Sequence, residues 1–204
     1  MDEREHETEG GGNDQEIEGR QEQEPKPAPR IYVASLSDYN AGRLHGEWID
    51  AAVETDELAE SVKAMLTISP EPGAEEWAIH DYEGFGPLRL EEYESLETVS
   101  AVALGIAEHG PAFAHWAALV GTSDREALAR FEDAYLGHWD SLTAYAEELL
   151  DDIGVYRQIE EALPDHLQPY VTIDAEGMGR DMEFGGQITT SVGDDGVFIF
   201  DGGV

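Results

Sequence analysis

The sequence contains no cysteine, which excludes disulfides, thiolate metal sites and cysteine nucleophiles. Basic residues are scarce: 11 Lys and Arg stand against 46 Asp and Glu, so the 204-residue chain has a formal net charge of −35. So few bases cannot neutralise phosphates, and we therefore expect binding neither to nucleic acid nor to an anionic membrane. No apolar run approaches the roughly 20 residues of a membrane-spanning helix, and the acidic start resembles no secretory signal. We expect a cytoplasmic protein.

The N-terminal segment differs in composition from the rest of the chain. Residues 1–29 contain ten acids, three bases, three consecutive glycines and three prolines, but no aromatic residue. High charge with low hydrophobicity predicts a disordered acidic tail over this segment. All 18 aromatic residues lie between Tyr32 and Phe200. Residues 30–204 still contain 36 acids and 8 bases, a net charge of −28, so the folded part is itself acidic.

Residues 30–89 show alternating apolar residues and turn signals that predict a small α+β N-terminal domain. Thr55 is the expected N-cap of its helix, whose apolar stripe includes Leu58 and Val62. The residue types at positions 37–42 favour a loop. Strands are predicted at 31–36, 44–49 and 76–82.

From residue 90 the apolar period becomes helical, which predicts a helical middle domain over residues 90–137. Gly110 and Pro111 separate two apolar helices, and Gly121 should end the second. The capping box at 123–126 predicts a third helix that contains Phe131 and Tyr135 and ends at Gly137.

Residues 138–204 predict an α+β C-terminal domain. Asp140 or Ser141 can cap its first helix, and a second helix is expected near 174–184. A β-hairpin should close the chain, with strands at 187–192 and 197–200. The fold class is therefore α+β, with three small domains in series. We expect an elongated shape, because a chain so divided offers no single large core.

Motifs of catalysis and cofactor binding are missing. No two histidines have the spacing of a zinc helix, and the glycines form neither a dinucleotide fingerprint nor a phosphate loop. Residues 194–196 lack the alternating oxygen ligands of a calcium loop. With 46 acids, some carboxylate pairs will lie close by chance, so none can be singled out as catalytic. We therefore expect no enzyme activity, no metal and no cofactor.

The acids are concentrated in two stretches of the folded part. Residues 47–97 and 140–201 each have a net charge of −13, whereas residues 98–139 have only −3. A solvated surface would explain this pattern, and so would a function, because like charges repel and reduce stability. A charge of −28 equals that of roughly 14 base pairs of duplex. Three hypotheses follow: a competitor for a basic DNA-binding groove, an acidic decoy or chaperone for other basic proteins, and an enzyme with a carboxylate pair or His.

One set of residues carries a specific resemblance, which covers residues 30–184. The set comprises residues 31–36 (IYVASL), Tyr39, Asn40, Gly42, residues 44–50 (LHGEWID), residues 76–83 (EWAIHDYE), residues 131–137 (FEDAYLG), Ser141, Tyr145, Ala146, Leu149, Leu150, Pro164, Leu167, Tyr170, Arg180 and Asp181. It resembles the ArdA family of antirestriction proteins.

The resemblance implies an elongated, bent, three-domain protein that dimerises through its C-terminal domain and mimics bent B-form DNA. It implies binding to the methyltransferase core of type I restriction-modification enzymes, which spares incoming plasmid or transposon DNA. It leaves open whether modification is blocked together with restriction. No chemistry is needed, because occupying the basic groove is the mechanism.

The resemblance also indicates site residues. Carboxylates would take the place of phosphates, and the family's antirestriction motif corresponds to residues 128–150, whose apolar residues we expect in the core or an interface. The two scarce bases Arg43 and Arg180 are either held in internal ion pairs or simply exposed. The phosphate-mimic candidates are Glu47, Asp50, Asp56, Glu57, Glu60, Glu75, Glu91, Glu92, Glu97, Glu126, Glu132, Asp133, Asp140, Glu147, Glu148, Asp151, Asp152, Glu160 and Glu161. The motif candidates are Leu128, Phe131, Tyr135, Gly137, Tyr145, Leu149 and Leu150.

Overall fold

A computed structural model describes residues 28–204, so the tail predicted for residues 1–29 lies outside the described residues except for its last two. The described chain is a mixed α+β structure with two antiparallel three-stranded sheets. The elements in chain order are β1 (Arg30–Ser35), α1 (Leu36–Asn40), β2 (Gly46–Asp50), α2 (Thr55–Thr67), β3 (Trp77–Glu83), α3 (Leu96–His109), α4 (Pro111–Val120), α5 (Arg125–Leu128), α6 (Phe131–Ala134), β4 (Tyr135–Trp139), α7 (Leu142–Asp152), α8 (Val155–Ala162), a 3₁₀ turn (Gln168–Tyr170), α9 (Ala175–Phe184), β5 (Ile188–Val192) and β6 (Val197–Asp201).

The first sheet has the strand order β2-β1-β3, with β1 at its centre. In β1, Val33 pairs with Glu47 on one side and with Ile79 on the other. Helix α2 buries Leu58, Val62 and Met65, and its acids remain exposed. The predicted strands and the helix of this unit are confirmed.

Two local predictions in this unit are wrong. The expected loop at 37–42 begins as helix α1, because the Ser35 hydroxyl caps it by accepting a hydrogen bond of 3.3 Å from the Asp38 amide. Thr55 is the first residue of α2, not its N-cap. Glu54 takes the cap position, with no side-chain hydrogen bond to the helix.

Helices α3 and α4 follow the predicted pattern, and Gly110 and Gly121 end them with φ of 73° and 90°.

The third predicted helix is wrong in its extent. Asp124 caps α5, which ends after four residues, and α6 is equally short. Residues from Tyr135 onward form strand β4, and Gly137 lies inside it with φ of 145°. A Cβ at Gly137 would lie 2.6 Å from the Trp139 ring, so the close approach of that ring requires glycine.

The second sheet has the order β4-β6-β5, and the hairpin of β5 and β6 is confirmed. Its third strand was not predicted, because β4 pairs with β6 across about 60 residues of chain. Of the two expected caps of α7, Ser141 is the one used: its hydroxyl accepts from the Ala144 amide at 3.1 Å. Helix α9 is confirmed, whereas α8 has no counterpart among the predictions.

The largest hydrophobic cluster contains residues from all three predicted domains, from Ile31 to Phe200. At its C-terminal end, the Phe200 ring lies 5.3 Å from Trp116 and 5.6 Å from Tyr135, centroid to centroid. These contacts join α4 to the second sheet. Two smaller clusters lie around Leu150 and Ile199. The division into three domains, with its boundaries, and the elongated shape remain predictions.

Among the acids that the structure describes, one is completely buried, in contrast to the acidic surface. Asp38 in α1 accepts hydrogen bonds from the Ser69 hydroxyl and from Arg43 Nε at 3.5 Å. Burial by itself raises the pKa of Asp38, but the hydrogen bonds from Ser69, Ser35 and Arg43, together with the nearby His45, outweigh it and hold the pKa below its ordinary value. This network links α1 to the connection between α2 and β3.

The lowered pKa of Asp38 predicts a pH-dependent contribution to stability. The contribution is fully present above the unfolded pKa of about 3.9 and disappears as the pH falls through the lower folded pKa. The Asp38→Asn variant should therefore be less stable than the wild type at neutral pH, and the difference should shrink below about pH 4. Urea unfolding at pH 7, 5 and 3 measures it.

Asp165→Asn is the matched control, because Asp165 is exposed. Its unfolding free energy should stay close to that of the wild type at each pH. A stability loss in Asp38→Asn that is equal at all three pH values would contradict the ionised network.

Candidate functional site

All nineteen phosphate-mimic candidates have exposed side chains. In the first unit they include Asp56, Glu57 and Glu60, which lie on the face of α2 opposite its buried stripe. Three carboxylates within five helical residues correspond to about one charge per 2.5 Å of helix axis. Duplex DNA carries about one charge per 1.7 Å of axis, and a single strand about one per 3.4 Å. The charge density of this face lies between the two.

Helix α7 carries the second dense group of acids. Glu147, Glu148, Asp151 and Asp152 are exposed, whereas Ala146 and Leu150 on the opposite face are buried. Four carboxylates within six residues give about one charge per 2.3 Å of helix axis. The Glu148 carboxylate also accepts a hydrogen bond of 2.8 Å from Trp139 Nε1, which fixes its position beside β4.

The positions of the acids on α7 destabilise that helix. Asp151 and Asp152 lie in the last turn, where the helix dipole disfavours negative charge, and that turn contains no basic residue. Each also lies four residues after another acid, Glu147 or Glu148, and such like-charged pairs destabilise a helix. A surface selected only for stability would not concentrate carboxylates here.

The charge gap between residues 98 and 139 has a structural reason. Helix α4 lies in the middle of the main cluster and buries every residue from 112 to 117. A helix buried on nearly all sides leaves little surface for carboxylates. The two acidic groups are therefore separated along the chain by a nearly neutral helical segment.

Four of the scarce bases make ion pairs with acids of the described chain. Arg125 Nη2 lies 2.7 Å from a Glu97 oxygen, and Arg30 bonds to Glu83. Arg43 bonds to Asp38 and Glu71, and Arg180 Nη1 lies 3.7 Å from a Glu176 oxygen. Of the two alternatives, Arg43 reaches the buried Asp38 and so makes an internal ion pair, whereas Arg180 and its partner Glu176 are both exposed.

The motif candidates are divided between the core and its edges. Leu128 and Phe131 belong to the main cluster, and Tyr135 packs against it. Both leucines lie on α7: Leu150 is buried on its inner face, and Leu149 lines an open cleft beside α9. Gly137 and Tyr145 both lie beside Trp139. The Trp139 ring packs over Gly137 and contacts the Tyr145 ring edge to face, with 4.7 Å between the ring centroids. Burial raises the pKa of Tyr135 and, together with Asp201, that of Tyr145, so both remain neutral phenols at physiological pH.

Two histidines enclose one aromatic ring at the edge of the second sheet. The Phe198 ring lies 4.3 Å from His115 and 4.6 Å from His138. His115 Nδ1 lies 2.7 Å from the Ser191 hydroxyl, and His138 Nε2 lies 3.4 Å from an Asp195 oxygen. These contacts tie α4 and β4 to the hairpin, and spacing along the sequence gives no sign of them. Within residues 28–204, no group of three or more His, Asp or Glu side chains is arranged to hold a metal ion.

No helix among the described residues is long and apolar enough to cross a bilayer.

Comparison with known proteins identifies the family. No curated protein matches the sequence. The family model described as antirestriction protein (ArdA) matches residues 31–197, which include every acid of the two groups described above. The chain belongs to the ArdA family of antirestriction proteins.

Proposed function

We propose that this protein inhibits type I restriction-modification enzymes by occupying the DNA-binding groove of their methyltransferase core in place of DNA. Antirestriction activity follows from the family. The proposal that the protein takes the place of DNA rests on the exposed carboxylates of α2 and α7. Their charge density lies between those of single-stranded and duplex DNA. Lys and Arg of the groove would pair with them as they pair with phosphates. The mechanism is binding alone, in the cytoplasm where incoming DNA is attacked.

The surface charge also matches the size of a DNA site. The −28 of residues 30–204 equals the charge of roughly 14 base pairs. Two protomers would present about twice that charge, comparable to some 28 base pairs of duplex. The carboxylates that oppose the dipole of α7 support a function in binding, because they reduce stability without serving the fold.

We propose further that two protomers associate through the C-terminal unit. Helix α8 buries none of its residues. The same unit also carries exposed apolar side chains: Ile153 is 56% exposed, Tyr170 83% and Phe184 98%. Large apolar side chains exposed to this degree indicate an interaction surface, and a second copy would cover them in a symmetric dimer.

The groove proposal predicts competition with DNA. A purified type I methyltransferase core should release a labelled DNA duplex as the protein is added in excess at low salt. The affinity of the core for the protein should fall about tenfold or more as salt rises, because salt screens both sets of charges.

Equal DNA binding with and without excess protein would contradict the proposal for that enzyme. Comparable affinity for unrelated basic proteins would favour the decoy alternative instead. An enzyme mechanism would appear as one alanine substitution that abolishes activity completely in a folded protein.

Removing one acid from α7 should raise the stability of the protein and weaken its inhibition of the enzyme. Asp151→Asn removes a charge that the helix dipole and Glu147 both disfavour, so the free energy of unfolding should rise by about 0.3–1 kcal/mol. Inhibition should weaken only modestly, by about 1.4- to 5-fold, because one exposed pair contributes little to a distributed field. Urea unfolding and the DNA-competition assay measure the two effects, and Glu147→Ala should weaken inhibition by a similar factor.

Asp56→Asn is the matched control, since Asp56 is an exposed acid in the first turn of α2, where the dipole favours its charge. It should lower stability by about 0.3–1 kcal/mol and weaken inhibition to a similar degree. A total loss of inhibition in either folded variant would argue against a distributed charge mimic.

The dimer proposal predicts that polar substitution at the exposed apolar surface favours the monomer. Phe184→Ser combined with Ile153→Ser should shift the sedimentation coefficient from that of a dimer to that of a monomer, without unfolding. Leu44→Ser is the control, because Leu44 is 74% exposed on the N-terminal unit. Monomeric wild-type protein at tens of micromolar would contradict the proposal.

A further inference from the structure

One exposed aromatic side chain lies among acids, in a place that the proposed function does not yet use. Tyr93 is 69% exposed and lies on the connection between β3 and α3. Both of its neighbours in sequence, Glu92 and Glu94, are acids, and Glu91 precedes them. Glu91 and Glu92 are exposed, and both are phosphate-mimic candidates. The chain therefore presents a flat ring next to carboxylates on either side.

This setting distinguishes Tyr93 from the other exposed aromatic side chains of the described residues. Each of the others lacks an acid on at least one side in sequence: Tyr39, Tyr156, Tyr170 and Phe184. Tyr39 also makes an edge-to-face contact with the His80 ring, at 5.2 Å between centroids. Tyr170 and Phe184 belong to the proposed dimer surface. Tyr93 is thus the exposed ring that the acidic surface itself contains.

Backbone hydrogen bonds hold Tyr93 in a defined position. The Glu94 amide donates to the Glu91 carbonyl at 3.1 Å, which closes a turn with Glu92 and Tyr93 at its centre. The Glu92 carbonyl accepts a hydrogen bond of 2.9 Å from the Ile79 amide, so the turn is attached to β3.

The chain is also anchored immediately before and after this turn. Leu90 is buried in the main hydrophobic cluster. Ser95 is the N-cap of α3, and its hydroxyl accepts from the Thr98 amide at 3.1 Å. An aromatic side chain on such a fixed turn loses little conformational freedom when it binds, because only its two side-chain torsions have to be ordered.

A DNA methyltransferase has a site for a ring of this kind. Such an enzyme acts on a base that it has extruded from the duplex into a pocket, where aromatic or apolar side chains stack on it. The extruded base is a flat ring attached to an anionic backbone, and Tyr93 is a flat ring on a turn with three acids. The phenol hydroxyl can both donate and accept hydrogen bonds, as the edge of a base does.

We propose that Tyr93 takes the place of the extruded target base and stacks in the base pocket of the methyltransferase core. Glu91, Glu92 and Glu94 would pair with the Lys and Arg side chains that bind the phosphates beside that base. This contact presupposes the proposed function, because it is made inside the groove that the protein occupies. It adds one short-range contact to a charge pattern that is otherwise distributed over the surface.

The affinity of Tyr93 variants for a purified core, measured by competition with labelled DNA, tests the contact. Tyr93→Ala should weaken binding by about 5- to 150-fold, the range expected for the loss of one stack between a base and an aromatic ring. Tyr93→Phe keeps the ring and should stay within about threefold of the wild type. Tyr39→Ala is the matched control, because Tyr39 is 59% exposed on α1, and it should bind like the wild type. All three variants should unfold at the urea concentration of the wild type, since both side chains are exposed.

A variant of the core identifies the pocket. In a core whose base-stacking aromatic residue is replaced by alanine, the stack is already lost, so Tyr93→Ala should weaken binding less than about twofold. A loss as large as in the unaltered core would place the ring outside the base pocket and overturn the proposal.

The same assay separates this contact from the proposed function. If the wild type displaces DNA and Tyr93→Ala does so equally well, the base-pocket contact is overturned and the proposed function stands. If the wild type fails to displace DNA, both are overturned together.

Discussion

Repulsion between carboxylates is the constraint on which the rest of this structure depends. The described fold holds far more acids than bases, and four of the bases are already used in ion pairs. Like charges on a small surface favour an expanded chain, so the apolar interior has to offset them. The aromatic cluster of Trp116, Phe131 and Phe200 does so where α4, α6 and the second sheet meet.

The same constraint explains where charge is absent. Helix α4 supplies the centre of the core and is buried on nearly all sides, so the acids lie on elements that expose one face to solvent. Asp38 is the exception, and its hydrogen bonds keep it ionised inside the fold. The two dense groups of acids, on α2 and α7, are thus separated along the chain by helices that carry little charge. Apart from Asp38, the acids of the described chain therefore lie outside the core.

Much of the fold could be predicted from sequence wherever local signals decide the structure. Helical stripes located α2, α3, α4 and α7, α9 was expected near residues 174–184, and the turn at 193–196 located the last hairpin. Strand β4 was not predicted, because its conformation depends on pairing with β6 far along the chain. Helix α1 depends on a single serine cap. Helix α8 is short and buries none of its residues, although Val155, Tyr156 and Ile159 lie on one face of it.

The exposure of the candidate acids was predictable to a similar extent. Helical periodicity placed the acids opposite the apolar stripes, and the structure exposes all nineteen. The hydrogen bond from Trp139 to Glu148 and the His contacts with Phe198 could not be predicted, because both depend on the sheet that β4 completes. Which acids meet a partner depends on that partner's charges as well, so periodicity alone cannot identify them.

Lysine footprinting of a type I methyltransferase core tests the central claim most directly. Acetylation of the core would be measured alone, with its DNA and with this protein. If the protein takes the place of DNA, both ligands should protect the same lysines of the groove. Protection of lysines outside the groove, with those that DNA protects still reactive, would contradict DNA mimicry.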